Sequence, residues 1–337
     1  MEKTSMSNII TEDKKKLRDF NFLDFISKWG TVISIVILFL FFSISNPYFL
    51  TGSNMITILR SISVVTIIAI GVTMSLTVNG LDLSTGSVAT LASTIVVSLY
   101  VWYSLGSVLS ILLAIVLSLS VALINSYLIT KLNIPDMLAT LAMMMVVEGV
   151  AMTYSGGGSI SEGMPRLNGV QTIGKLPEVF KLIGQAPTVI IIMFLIVLSV
   201  HIFLNHTKYG RYMYIIGGNE EAARLSGIDV KKYKVLAYLL STFFAAIGGI
   251  VIASRVGSSQ INAGAGYLMP AVAAAFIGFS VGGSRKANAL GTFIGAVLVG
   301  VLENGMVMMS VPYYSLNILK GLVLVIALAA TYFKSKK

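Results

Sequence analysis

"IAIGVTMSLTVNGLDLSTGSVATL" (Ile68–Leu91) passes from an apolar stretch, through a short polar break, into a second stretch of small and apolar residues. Several apolar runs in the chain reach the roughly 20 residues that span a bilayer core. Charged residues make up only 11% of the 337, and the mean hydropathy is +0.88, outside the range of a soluble domain of this length. The fold class is therefore all-α: a polytopic helical membrane protein with about ten transmembrane helices. Within the break, Asp82 or Ser84 can cap the following helix, while Gly80 and Gly86 permit tight turns or close helix approach. Capping alone accounts for these residues; the sharper reading makes Asn79, Asp82 and Ser84 the lining of a solute pathway.

A faint echo of this stretch occurs later. "AAFIGFSVGGSRKANALGTFIGAV" (Ala274–Val297) is again an apolar helix, a Gly-rich break with small polar residues, and a helix of small residues. "EGVAMTY" (Glu148–Tyr154) is answered by "KGLVLVI" (Lys320–Ile326). Transporters are often built from repeated halves whose broken helices line the pathway, although Gly/Ala-rich spans can resemble one another by chance.

Spans are expected at about 31–50, 55–79, 86–104, 107–130, 135–155, 187–205, 233–254, 266–282, 288–309 and 313–333. An even count puts both termini on one side. With the termini in the cytoplasm, 18 of the 24 Lys and Arg residues fall inside, as short-loop charge bias requires. Residues 1–30 and 334–337 then form cytoplasmic tails around a single transmembrane domain, 31–333. The first 28 residues are polar and basic without an apolar centre, so no cleavable leader is expected. The net charge of +10 concerns orientation and lipid headgroups before nucleic acid. Zero cysteines exclude disulfides and thiolate metal sites.

Catalytic signatures are absent. No GxxxxGK[ST] occurs, "GGSRK" (Gly282–Lys286) lacks its spacing, and there is no HExxH. His201 and His206, five apart, do not share a helical face. This chain is expected to bind no metal or cofactor. Ionisable groups inside spans are costly in lipid, which singles out Glu148, Glu303 and Lys320 for solute contact or for structural pairing such as Glu148–Lys320.

Two long loops remain. The outer loop, 156–186, begins "GGGSISEGMPRLNG" and carries Glu162 and Arg166, either as a flexible connector or as a docking surface for an extracytoplasmic partner. The inner loop, 206–232, contains "GGNEEAARLSGI" (Gly217–Ile228), which reads as a short helix marked at both ends. Asn219 suits the N-cap; Glu220 and Glu221 fill the first turn; Arg224 stands four residues after Glu220; Gly227 suits the closing left-handed residue. Two turns fall well below the roughly 12–15 residues an isolated helix needs in water. Tyr209, Tyr212 and Tyr214 before it, and Lys231, Lys232 and Lys234 after it, can anchor its flanks at headgroup level. Its apolar face (Ala222, Ala223, Leu225 and Ile228) is small for lipid binding and favours a protein partner.

"GLDLSTGSVATLAS", "IPDMLATLAMMMVVEGVAMTYSGG" and above all "KYGRYMYIIGGNEEAARLSGIDVKKYK" resemble the permease subunits of ribose-type ABC sugar importers, over about residues 55–330. The resemblance implies an inner-membrane permease that pairs with a second permease chain around a central path. It implies a tandem cytoplasmic ATPase, which holds ATP and Mg, and an extracytoplasmic sugar-binding protein. It further implies that Gly218, Asn219, Glu220, Glu221, Ala222, Ala223, Arg224, Leu225, Gly227 and Ile228 form the helix that couples to the ATPase. The chain departs from the family pattern after "GAGY", where Leu268, Met269 and Pro270 replace an acidic run, and at Glu148 and Glu303. These departures leave the solute open among pentoses, hexoses, a polyol, a nucleoside or a signalling furanose. The alternative reading is an ion-coupled secondary transporter of a small polar solute using Glu148, Glu303 or Asp82.

Overall fold

The break that opens the sequence reading divides two real helices. The computed structural model describes residues 22–281 and 286–316, with positions 318, 321, 322 and 325 beyond them. Twelve α-helices form among these residues and no β-strand does. They are α1 (Phe22–Ser45), α2 (Gly52–Leu76), α3 (Thr85–Val101), α4 (Ser107–Thr130), α5 (Asp136–Ser155), α6 (Glu178–Ile183), α7 (Thr188–His206), α8 (Lys208–Gly218), α9 (Glu220–Leu225), α10 (Val230–Val256), α11 (Ala265–Ser280) and α12 (Ala289–Met308). Six of them (α2, α4, α5, α7, α10 and α12) are long and apolar enough to cross a membrane. Shorter apolar helices occupy Trp29–Ser45, Thr85–Val101 and Ala265–Phe279. These nine fall on the first nine expected spans, whereas most of the tenth, 313–333, lies outside the described residues.

Three local differences from the sequence reading have plain causes. α1 ends at Ser45, not near 50, because Pro47 lacks an N–H and disfavours helix at the residue before it. Asn46 then accepts from the Tyr48 N–H at 2.9 Å and donates to the Met308 carbonyl at 2.9 Å, which fixes the turn against α12. The loop at 206–232 holds two helices, since α8 precedes the expected α9, and the loop at 156–186 contains the short α6.

α2 and α10 form the centre: 67% of the apolar window of each is buried, against 28% for α4, α5 and α7. α10 packs on α2, α3 and α4, and α2 packs in turn on α7, α11 and α12. The peripheral helices turn apolar side chains outward, among them Val108, Leu112 and Val116 of α4 and Ile191, Leu195 and Leu198 of α7. Such faces suit lipid and would be anomalous in water. Because lipid tails are as apolar as leucine, helices in a bilayer gain from close backbone contact. Gly249 of α10 supplies it against the Ala89 carbonyl of α3, and Gly295 of α12 against the Ala274 carbonyl of α11; a Cβ at either would collide with backbone.

The two helix–break–helix units of the sequence echo are both present, α2–α3 and α11–α12, and they touch. The hydroxyls of Thr73 and Thr292 lie 2.7 Å apart between α2 and α12. The two long loops sit at opposite ends of α3, with α8 against Thr77 just before it and Arg166 bound to the Trp102 carbonyl just after it.

Gly249→Val should force α3 and α10 apart and destabilise the protein by about 1–3 kcal/mol, the usual cost of overpacking. Thermal unfolding in detergent checks this against Gly106→Ala, where a Cβ meets nothing within 4 Å and no change is expected.

Candidate functional site: a capped helix beside a helix break

The segment from Thr207 to Asp229 is built by side chains that repeatedly occupy the helix ends. Thr207 accepts from the Gly210 N–H at 3.2 Å and starts α8, which buries Gly210, Met213 and Ile216 on one face. Asn219 has extended backbone (φ −159°, ψ 105°), ends α8, and caps α9 by accepting from the Ala222 N–H at 2.9 Å. The far end of α9 closes as a Schellman turn. Gly227 has φ +78°; its N–H donates to the Arg224 carbonyl at 3.0 Å, and the Ile228 N–H donates to the Ala223 carbonyl at 3.1 Å. Asp229 accepts from the Lys232 N–H at 3.1 Å and opens α10.

Charge and burial divide α9 into two faces. Arg224 lies 3.3 Å from both Glu220 and Glu221, exposed pairs that add little stability. The pair between Lys234 and Glu220 is tighter, at 2.9 Å, and Lys234 is only 16% exposed. Ala223 is fully buried and Ile228 half-buried, whereas Ala222 is exposed and Leu225 is 82% exposed. Gly218, Glu221, Arg224 and Gly227 also face solvent.

α9 does not stand apart from the helix break. Gly217 packs on the Thr77 carbonyl so closely that a Cβ would collide with it. A groove of about 440 Å³ is lined by Asn79 and Leu81 of the break, Asp136 of α5, and Gly218, Asn219, Glu220 and Lys234. A second groove, about 470 Å³, runs on the other side of Glu220 and Lys234, towards Thr130 and Asn133.

Within the break, Asn79 alone of the three expected pathway residues is exposed, in a left-handed conformation (φ 58°). Asp82 and Ser84 are completely buried. Asp82 Oδ1 accepts from the Ser84 N–H at 3.0 Å and the Ser84 hydroxyl at 2.5 Å; Oδ2 accepts from the Ser241 hydroxyl of α10 at 2.8 Å. Asn125 of α4 donates to Ser84 Oγ at 3.0 Å. Thr140 of α5 accepts from the Leu83 N–H at 3.2 Å and donates to the Leu81 carbonyl at 3.0 Å. The Tyr238 hydroxyl of α10 donates to Asp136 at 2.6 Å beside Gly80. None of these five partner residues stood out in the sequence as belonging to the break.

The other expected residues scatter. Glu148 is half-buried on α5, which packs on α3 and α4; Glu303 is half-buried on α12, which packs on α2 and α11. Lys320 and its expected pairing with Glu148 lie outside the described residues. Glu162 accepts from the Leu176 N–H at 2.9 Å, which holds its carboxyl below the usual range, and lies 3.3 Å from Lys181. Arg166 donates to the Trp102 carbonyl at 2.8 Å and stacks over the Tyr103 ring at 4.6 Å. Both charges are thus engaged within the chain. Two expected headgroup anchors also turn inward. Lys234 meets Glu220; the Tyr214 hydroxyl donates to the Ala287 carbonyl at 2.8 Å, and burial pushes that phenol up to about 12.

Residues 54–328 match the family described as branched-chain amino acid transport system / permease component. The chain belongs to this permease family. The permease is 33% identical to the ribose import permease protein RbsC of Escherichia coli K12 over 300 residues, 88% of this chain and 91% of that protein. It is equally similar, 33% over 325 residues, to RbsC of Bacillus subtilis 168, covering 96% of this chain and 98% of that one. The xylose transport system permease protein XylH of E. coli K12 is 26% identical over 350 residues, 88% of this chain and 89% of that one. No solved structure matches the permease.

Asp82→Ala should strand the buried hydroxyls of Ser84 and Ser241 and lower stability by about 1–3 kcal/mol, read by thermal unfolding in detergent. Glu221→Gln, on the exposed face of α9, should stay within about 0.5 kcal/mol of the unaltered chain in the same assay.

Proposed function

We propose that this permease is the membrane subunit of an ATP-driven importer of a monosaccharide, and that α9 is the helix through which a separate cytoplasmic ATPase drives it. The observation that carries the reading is the form of α9: a helix capped at both ends by its own chain, with its one large apolar side chain, Leu225, left in solvent. A preformed helix with a single exposed anchor suits a groove on a protein partner, since little ordering remains to be done on binding. ATP and Mg belong to that partner, and this chain supplies only the receiving surface.

The distribution of basic residues supports placing both termini and the α8–α9 end in the cytoplasm. The opposite end, with residues 156–186, then faces an extracytoplasmic solute-binding protein. Glu162 and Arg166 serve that surface by holding the loop in shape through Leu176 and Trp102. A second permease chain, identical or not, would complete the central path. Asn79 is the residue of the break offered to the solute, while Asp82 and Ser84 support it from behind. Glu148, Glu303 and Lys320 are proposed as further polar contacts on the path. The family description speaks of amino acids and the relatives' names of ribose and xylose; the relatives' similarity over nearly the whole chain favours a pentose.

Leu225→Glu should reduce capture of the ATPase by the purified permease more than tenfold while leaving membrane insertion intact. Normal assembly and transport by that variant would refute the role of α9. Uptake assays with ribose, xylose and leucine, using the complete complex in proteoliposomes, should show uptake of a pentose and none of leucine. Solute uptake by the purified chain alone, driven by a proton or sodium gradient, would replace the ATP-driven reading with the ion-coupled one.

A further inference from the structure

The helix α8, which the sequence reading passed over as loop, touches both helix breaks. At its C-terminal end Gly217 lies against Thr77, and a Cβ added there would also come within 3.4 Å of the Asn79 backbone nitrogen, at the start of the α2–α3 break. One turn earlier, the Tyr214 hydroxyl donates to the carbonyl of Ala287, the residue before the cap of α12, at the end of the α11–α12 break. Lys286 lies over the Tyr214 ring at 5.5 Å, and Ala287 is itself buried. Between these contacts, Met213 and Ile216 are fully buried in the same apolar core as Met74 and Val78. The two breaks correspond in the sequence echo, and one short helix is seated on both.

We propose that α8 is a crossbar that ties the two helix breaks into one moving block, with Tyr214 and Gly217 as its positioning residues. The proposal rests on the reading of α9 as the ATPase contact and adds what receives its motion. A single residue, Asn219, separates α9 from α8, so displacement of α9 is passed to α8 without an intervening loop. α8 then moves the ends of α2, α3 and α12 together. The ion pair between Glu220 and Lys234 brings the start of α10 into the same block. The network behind the break, from Asp82 to Ser241 and from Asp136 to Tyr238, fastens α4, α5 and α10 to it.

The chain contains no cysteine, so engineered pairs report without background. In the Leu81→Cys/Gly218→Cys double variant both residues line one groove, and a Cβ at position 218 meets nothing within 4 Å. In the assembled complex in proteoliposomes, a short thiol-to-thiol cross-linker should join the pair equally with and without bound ATP. Transport should stay within twofold of the uncross-linked sample. Cross-linking in only one nucleotide state, in neither, or with a loss of transport that reductive release restores, would each overturn the crossbar.

Tyr214→Phe provides the second arm: ATP hydrolysis by the complex should persist while sugar moved per ATP falls at least threefold. An unchanged ratio, or a parallel fall in both activities, would show that Tyr214 only supports the fold. The two readings fail separately. Leu225→Glu tests the grip of the ATPase on α9, whereas these experiments test what lies behind it.

Discussion

A helix interrupted within a membrane protein leaves backbone donors and acceptors that lipid cannot satisfy, and this constraint organises the permease. Between α2 and α3 the freed groups of residues 81–84 are met by Ser75, Thr140 and Asp82. Asp82 can serve only because it is itself supplied, by Ser84 and by Ser241 from across the bundle. Satisfying one break therefore binds α4, α5 and α10 to the end of α2. The small residues that let α10 approach α2 and α3 closely are what bring Ser241 and Tyr238 within reach.

The same network changes the meaning of the buried carboxylate. An acidic group inside a membrane protein invites a role in ion coupling or solute binding. Both oxygens of Asp82 already accept hydrogen bonds, and the group stands just before the first turn of α3, where the helix dipole favours negative charge. It is placed as the keystone of the break. Asn79, in front of it, is the exposed polar residue of the break, so support and exposure are divided between neighbouring residues of one short segment.

What the sequence made legible follows the range of the interactions. Spans were readable because about 20 apolar residues in a row have few other uses. α9 was readable almost atom by atom, since Asn219, the Glu220–Arg224 pair and Gly227 act within a single turn of themselves. α8 was not, because its tyrosines read as membrane anchors and glycine disfavours helix at positions 210, 217 and 218. Gly210 and Gly217 are needed for close packing on Leu204 and Thr77, a tertiary demand that overrides helix propensity. The break network was invisible for the same reason: Ser241 lies 159 residues from Asp82, and Tyr238 lies 102 from Asp136.

The care spent on α9 finds its explanation within the chain before any partner arrives. Six residues cannot hold a helix in water, yet here the cap, the Schellman turn, the buried Ala223 and the Glu220–Lys234 pair hold it from four sides. A partner then has no helix to fold, and its binding free energy can go into displacing one. Ala223 faces inward and takes part in that support, so a charge placed there would confound folding with docking; Leu225 faces outward and separates the two. On the proposed reading a rigid handle also transmits in both directions: whatever free energy a partner gained by holding α9 in one position would appear, by linkage, as a preference of the bundle for one arrangement of its breaks.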